Sequence, residues 1–466
     1  MVRAQDSGLS SCVSDPRYPT PNTGNVRQHF LTNNMPVLQH IPAIIRVLIV
    51  FIFVLFLIRK RLSLGNAFLL GAILLSVLFG LHPRAMIGSM AQSIVYPKTL
   101  SLALIVSLIL VLSSSMELSG QMKRLLGKFK GLVKNIKINL IVFPALIGLL
   151  PMPGGAIFSA PMVKDLGMQS ELSGDKLSFI NYWFRHIWEY CWPLYPGVLL
   201  ATILADLNIL AFVFFMFPIT ILAVYFGYLP LRDLHQIPSD NTGRNTDITV
   251  WPFLMEMMPI LLVIIPGLCM GIFFSLVFPH LSVSKEIGLI IALFMSIGWV
   301  WYKNALTKDQ IWKVLSDPQN LNMIYIVSSI LIFKGILEDS HAVEAISNEL
   351  IMLKVPLMLI AVILPFLVGL ITGITIAFVG VTLPILIPLI HSLGETGFIL
   401  PYVMLAMVCG FSGVLLSPLH LCLILSNEYF NTSMGAVYKH LWLLCVFLMT
   451  SGVAYFLISH WILKIV

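Results

Sequence analysis

The sequence predicts an all-α polytopic membrane protein of about ten transmembrane helices plus two re-entrant hairpins, arranged as two inverted repeats. Three observations carry this expectation: the composition, the spacing of the apolar runs, and a self-similarity at constant offset. Hydrophobic residues make up 58% of the 466 residues and charged residues only 11%. Soluble domains run near about 25% charged. Too few polar groups are present to cover a water-exposed surface of this size.

A hydrocarbon core about 30 Å thick takes roughly 20 apolar residues per helix. Runs of that kind begin near Ile41, Leu64, Leu100, Phe179, Asn208, Trp251, Ile287, Leu321, Phe398 and Leu441. Two further apolar stretches, at 139–163 and 355–390, are broken by Pro and Gly. Residues 1–40 are polar, with scattered Pro, Ser and Asn, and read as a disordered tail. No apolar core follows a short basic start, so the tail does not read as a signal peptide. Met35 stands just before the first run and is read as the natural start, which intact-protein mass would test. The expected divisions are a tail at 1–40, a first transmembrane repeat at 41–230, a cytoplasmic linker at 231–250 and a second repeat at 251–466.

The net charge of +7 is distributed as a membrane protein's. Arg59, Lys60 and Arg61 share one short loop; Lys123, Arg124, Lys128, Lys130, Lys134 and Lys137 share another. Both flank apolar runs, as expected of cytoplasmic loops. The loops at 232–244 and 303–313 fall on the same side, and the acidic stretch Glu338, Asp339, Glu344 and Glu349 falls outside. The expected location is the cell membrane, multi-pass, and the cytoplasmic membrane in a prokaryote. Nucleic acid is not an expected partner. The six cysteines (Cys12, Cys191, Cys269, Cys409, Cys422 and Cys445) are scattered singly with no Cys-x-x-Cys pair. Neither a disulfide framework nor a metal site is expected from that spacing, and the cysteines read as apolar filler.

The repeat rests on a constant offset. Ile105–Leu110 resembles Ile326–Leu331, at 326 − 105 = 221. The same offset pairs Glu117 with Glu338, Ser119 with Ser340, Pro144 with Pro365 and Gly148 with Gly369. Further on, Pro193-Leu194 matches Pro418-Leu419 at 418 − 193 = 225. Each half then has an odd number of crossings, which turns the second copy upside-down. Broken helices at matching positions of such halves point to a transporter's binding site.

The first break reads Pro151-Met152-Pro153-Gly154-Gly155-Ala156-Ile157-Phe158-Ser159-Ala160-Pro161. Its prolines and glycines cannot continue a helix, and lipid cannot satisfy the freed backbone groups. A hairpin tip is expected, with helix N-termini offering N–H donors to an anion. Pro153, Gly154, Gly155 and Ser159 are therefore candidate substrate ligands. The counterpart, Thr372-Gly373-Ile374-Thr375, adds Thr372, Gly373 and Thr375, whose hydroxyls can bind substrate or patch the local backbone. A kinked, packed helix is the alternative at each break. A second pair of breaks, Trp192-Pro193-Leu194-Tyr195-Pro196-Gly197 and Ser417-Pro418-Leu419-His420, adds Ser417 and His420.

The most informative stretch is Asn181-Tyr182-Trp183-Phe184-Arg185-His186-Ile187-Trp188-Glu189. Arg185 lies nine residues past Lys176, about 13 Å deep at the rise of a helix, where a charge costs roughly 2.5–3.5 kcal/mol. Arg185 and Glu189 are four apart on one helix face. They read either as an internal ion pair or as function. In the functional reading Arg185 forks onto a substrate carboxylate, Asn181 assists it, and His186 or Glu189 carries the coupling ion. Lys334 and Glu338 repeat the four-residue spacing, and Glu428 is read at an interface. Trp and Tyr near span ends are read as interface anchors.

The Pro-Met-Pro-Gly-Gly motif at 151–155, Phe158-Ser159-Ala160-Pro161, Trp188-Glu189 with Pro193-Leu194-Tyr195-Pro196, and Ser417-Pro418-Leu419-His420-Leu421-Cys422 with Asn427-Glu428-Tyr429 resemble an uncharacterised integral-membrane family. It is domain-of-unknown-function family 401 (DUF401), within the ion transporter superfamily of gluconate, citrate, dicarboxylate and sodium/proton carriers. The resemblance covers most of the chain after about residue 42. It implies inverted repeats, each with a re-entrant hairpin and a broken helix, and a homodimer. The dicarboxylate branch carries Ser-Asn-Thr at its tips, whereas these tips read Pro-Gly-Gly and Thr-Gly-Ile-Thr. The resemblance therefore names no substrate.

The expected function is secondary active transport, a symport of a small organic anion with H⁺ or Na⁺, without a cofactor. The alternative is cation/proton antiport through Glu189 and His186. An enzyme is not expected: there is no His-Glu-x-x-His, no Gly-x-Ser-x-Gly and no P-loop. An intramembrane hydrolase using Ser and His outside such motifs is the remote alternative.

Overall fold

The structure is a computed structural model and describes residues 40–232 and 250–465, apart from 131, 134, 153, 154, 170 and 282. The expected tail, Met35 and nearly all of the 231–250 linker lie outside the described residues, as do Pro153 and Gly154.

The described residues are helical, with no strand. In the first half the order is α1 (Ala43–Arg59), α2 (Leu64–Leu78), α3 (Pro83–Val95), α4 (Pro97–Leu118), α5 (Gln121–Lys130), α6 (Ile136–Gly148), α7 (Ala156–Gln169), α8 (Gly174–His186), a 3-10 turn (Ile187–Tyr190), α9 (Pro196–Leu204) and α10 (Ile209–Tyr228). In the second half it is α11 (Trp251–Val277), α12 (Ser284–Lys303), α13 (Lys308–Leu315), α14 (Pro318–Asp339), α15 (Ala342–Leu353), α16 (Leu357–Thr372), α17 (Thr375–Ser392), α18 (Ile399–Leu415), α19 (Leu421–Tyr429) and α20 (Met434–Ile465). Side-chain caps mark several loop-side starts. Ser63 accepts from the Asn66 amide, Asn135 from Lys137 and Ile138, and Asn208 from Leu210 and Ala211. Thr307 and Gln310 form a capping box.

Among the described residues, eight helices are long and apolar enough to cross a membrane, or nine if a bent pair counts as one span. The chain is thus a multi-pass helical membrane protein. Seven of the ten expected runs are such helices. The runs from Ile41 and Leu64 make shorter helices of 17 and 15 residues. The run from Phe179 is divided, because the 3-10 turn and Pro193 and Pro196 interrupt it. The eighth helix is α17, the second arm of the second break, at 18 residues. The bent pair is α15 and α16, where the chain bends by 119°.

Element boundaries recur at the offsets read from the sequence. Helices α4 and α14 both have 22 residues, with 318 − 97 = 221. Helices α6 and α16 start at 357 − 136 = 221 and carry Pro144 and Pro365 inside them. Helices α9 and α19 both have nine residues, with 421 − 196 = 225. The offset of 225 is already in place at the starts of α8 and α18, where 399 − 174 = 225.

Burial sorts the helices into inner and outer ones. The apolar window of α18 is 83% buried and that of α17 78%, against 22% for α11 and 28% for α10. The helices at the breaks form the interior together with α4, whose window is also 78% buried, and α10 and α11 present mostly apolar outer faces. Glycines allow the inner helices to approach closely. A Cβ at Gly148 of α6 would come within 2.1 Å of the Arg185 carbonyl oxygen of α8. A Cβ at Gly369 of α16 would come within 2.1 Å of the Gly410 carbonyl oxygen of α18.

Candidate functional site

The first break lies between α6 and α7, which pack against each other. Helix α6 ends at Gly148, which leaves its last carbonyls without α-helical partners. Each finds one. The indole N–H of Trp188 donates to Ala145 O (3.0 Å), that of Trp192 to Leu149 O (2.9 Å), and the Tyr195 hydroxyl to Gly148 O (2.6 Å). The amides of Leu149 and Leu150 donate to Leu146 O and Ile147 O. Trp188, Trp192 and Tyr195, at and beside a break that the sequence places inside an apolar span, are internal donors that close a hairpin arm. The second half uses the same device. Tyr182 donates to Leu415 O (3.1 Å) and Tyr438 to Leu416 O (3.0 Å) at the end of α18.

Arg185 sits in the last turn of α8 and is 3% exposed. One guanidinium nitrogen, Nη2, donates to Met152 O at 2.7 Å. Its Nε and Nη1 are buried without a partner. The guanidinium lies over Gly155, where a Cβ would come within 2.5 Å of both terminal nitrogens. Gly155 immediately precedes α7, so a fixed cation rests against the positive end of a 14-residue helix.

Glu189 goes elsewhere. The chain tightens to a 3-10 turn at Ile187, which removes the α-helical register that would set Glu189 above Arg185. The internal Arg185–Glu189 ion pair weighed from the four-residue spacing does not form. Glu189 Oε2 accepts from the Thr375 hydroxyl at 2.7 Å, at the first residue of α17. Its Oε1 lies 3.8 Å from His186 Nε2. The Lys334–Glu338 pair, by contrast, forms at 3.5 Å.

The second tip turns at Gly373, whose φ of +66° suits glycine. A Cβ there would come within 2.8 Å of Ser417 Oγ and 3.0 Å of the His420 amide. The second tip and the second broken helix are thus in contact. His420 Nε2 faces His186 Nε2 at 3.1 Å, and His186 Nδ1 donates to Tyr182 O at 2.6 Å. Cys422 lies beside this pair and beside Arg185.

The predicted residues therefore divide. Gly155, Arg185, His186, Glu189, Gly373, Thr375, Ser417 and His420 meet where both tips reach the broken helices. Ser159 and Asn181 do not line that junction as free ligands. Ser159 donates to Asn181 Oδ1 (2.6 Å), and the Asn181 amide donates to Ala156 O and Ser426 Oγ (3.0 and 2.9 Å). Together they tie α7, α8 and α19. Thr372 donates back to Val368 O at 2.8 Å, the local patch that was its alternative role. The Ser417 hydroxyl accepts from the Leu419 amide at 3.2 Å. Glu428 is exposed at the end of α19. Sequence reasoning missed Cys422, Ser426 and the aromatic caps. The available signal was Cys422 two residues after His420, on the helix that restarts after a break.

No curated protein matches the chain. A family model described as a protein of unknown function (DUF401) matches residues 43–458, nearly the whole described chain, and the protein belongs to that family.

Proposed function

We propose that the protein is a secondary active transporter that carries a small organic anion across the cell membrane, coupled to H⁺ or Na⁺. One observation carries the reading. Arg185 is buried, holds two unpartnered N–H groups, and rests against the N-terminus of α7. Both features favour negative charge at the same point. A charge-assisted hydrogen bond contributes about 1.5–3 kcal/mol, and a buried unsatisfied donor costs about 1–3 kcal/mol. A bound carboxylate would supply partners for the free nitrogens of the guanidinium. The recurring halves, the paired breaks and the resemblance of the family to the ion transporter superfamily favour alternating access over a channel.

The test uses the purified chain in proteoliposomes. Labelled small carboxylates are offered under an inward H⁺ or Na⁺ gradient. Gradient-driven uptake that is lost in Arg185→Gln is the expected result. If no carboxylate enters, and Na⁺ or Li⁺ gradients instead move protons, the chain is a cation/proton antiporter and the anion reading fails.

A further inference from the structure

His186, His420 and Cys422 come from two separate broken helices, and all three are buried. One ligand atom from each lies within 4.8 Å of the others. The facing Nε2 atoms are 3.1 Å apart. Two nitrogens bound at about 2.0–2.1 Å to one tetrahedral ion stand about 3.3 Å apart, close to that separation. The His186 ring is set for the task. Its Nδ1 donates to the Tyr182 carbonyl, which leaves the Nε2 lone pair directed at the cluster. His420 is held through one nitrogen only, and its Nδ1 is buried without a partner. A ring anchored on one side can turn toward an ion. Glu189 Oε1 lies 3.8 Å from His186 Nε2, beside the cluster.

We infer that His186, His420 and Cys422, with Glu189 beside them, form a binding site for a borderline-soft divalent cation of the Zn²⁺ class. Two imidazoles, a thiolate and a carboxylate are a zinc ligand set. The two anionic ligands neutralise the ion, so the adjacent Arg185 guanidinium faces a neutral centre rather than a second cation. The site reverses the expectation from cysteine spacing, because its ligands converge from distant segments rather than from a Cys-x-x-Cys. It stands whether or not the chain carries organic anions.

The test is Co²⁺ titration of the chelator-washed full chain in detergent. Cys269 is the exposed cysteine among the described residues and Cys12 lies outside them, so a background with Cys12→Ser and Cys269→Ser removes both competing thiols. One Co²⁺ per chain, with tetrahedral d–d bands and a thiolate-to-cobalt charge-transfer band, is expected. Zn²⁺ should displace it. Cys422→Ser should lose the charge-transfer band, and His420→Gln should weaken binding at least tenfold. Elution as a single monodisperse peak confirms that each variant is folded. Zn²⁺ protection of Cys422 from a thiol reagent in otherwise unaltered protein gives a reading independent of any ligand substitution. Absence of binding at millimolar Co²⁺ together with no Zn²⁺ protection, or a charge-transfer band that survives Cys422→Ser, would overturn the site.

Discussion

At the first hairpin tip a guanidinium rests over the start of a helix; at the second, a carboxylate does. Arg185 lies against Gly155, just before α7, and Glu189 accepts from Thr375 at the first residue of α17. The scaffolds around them correspond. Gly148 approaches the carbonyl of residue 185 as Gly369 approaches that of residue 410, where 369 − 148 = 221 and 410 − 185 = 225. The side chains do not correspond. At the 225 offset Arg185, His186 and Glu189 are matched by Gly410, Phe411 and Val414. The second tip thus has its helix charge complemented by Glu189, contributed by the first half. The first tip carries like charge at a like pole, which in the proposed function a bound anion offsets. Repetition supplies two corresponding frames, and a few differing residues give the two tips opposite charge.

The largest expected effect comes from breaking the frame itself. Gly148→Val and Gly369→Val each drive a side chain into a backbone carbonyl that cannot withdraw. Overpacking costs typically about 1–3 kcal/mol and more where the backbone must move, so both variants should yield little folded protein by size-exclusion fluorescence. Gly397→Ala, with open space around its Cβ position, should be indistinguishable from the parent. A tolerated Gly148→Val would mean that the two halves do not rely on the same close approach.

The next effect separates the tips. Loss of the guanidinium in Arg185→Gln should weaken anion binding by roughly 10–100-fold, the equivalent of about 1.5–3 kcal/mol. Glu189→Gln keeps a partner for the Thr375 hydroxyl but removes the charge at α17. It should lower stability by about 0.3–2 kcal/mol, as a partly buried charge at a helix end does, read as a fall in melting temperature. Equal losses of anion binding in the two variants would show that the tips are not charge-distinct.

The smallest effect sharpens the account of the capped arm. Trp188→Phe keeps the ring and removes the donor to Ala145 O. The cost should be near 1 kcal/mol, within the range of about 0.5–1.5 kcal/mol for a hydrogen bond and up to about 3 kcal/mol if the carbonyl stays dry. A melting temperature unchanged by this substitution would show that water or another donor serves the arm equally well.

Much of this frame is legible in the sequence, for physical reasons. Crossing a bilayer takes long apolar runs whether a helix faces lipid or the interior, so α4, α11, α14 and α20 could be read from hydropathy. Proline and glycine announce breaks whatever surrounds them, so both tips and both broken helices could be located. The offset of 221 residues, read from a few matched pairs, is the offset of whole helices. Side-chain partners were less legible. The four-residue spacing of Arg185 and Glu189 assumes an unbroken α-helix, and a 3-10 turn defeats it. Ser159 and Asn181 are polar residues at a break, but they satisfy each other across two helices. Pattern along one chain cannot show that. Cys422 read as filler because its neighbours His186 and His420 come together only through tertiary packing. Trp188, Trp192 and Tyr195 stand at a break that the sequence shows, but the carbonyls they serve belong to another helix, which spacing does not name.

In the proposed function Arg185, which bonds Met152 O through Nη2 and lies beside Cys422, receives an anion on its remaining nitrogens rather than serving only to hold the tip closed. The direct measurement is the melting temperature of purified parent and Arg185→Gln protein, alone and with a panel of small carboxylates. Ligand that binds the folded state stabilises it by RT ln(1 + [L]/Kd). The account predicts that a carboxylate raises the melting temperature of the parent only. It also predicts that Arg185→Gln without ligand melts no lower than the parent, since it relieves like charges at α7. A ligand-free Arg185→Gln that melts well below the parent, with any carboxylate shift retained, would contradict it and make Arg185 a structural residue.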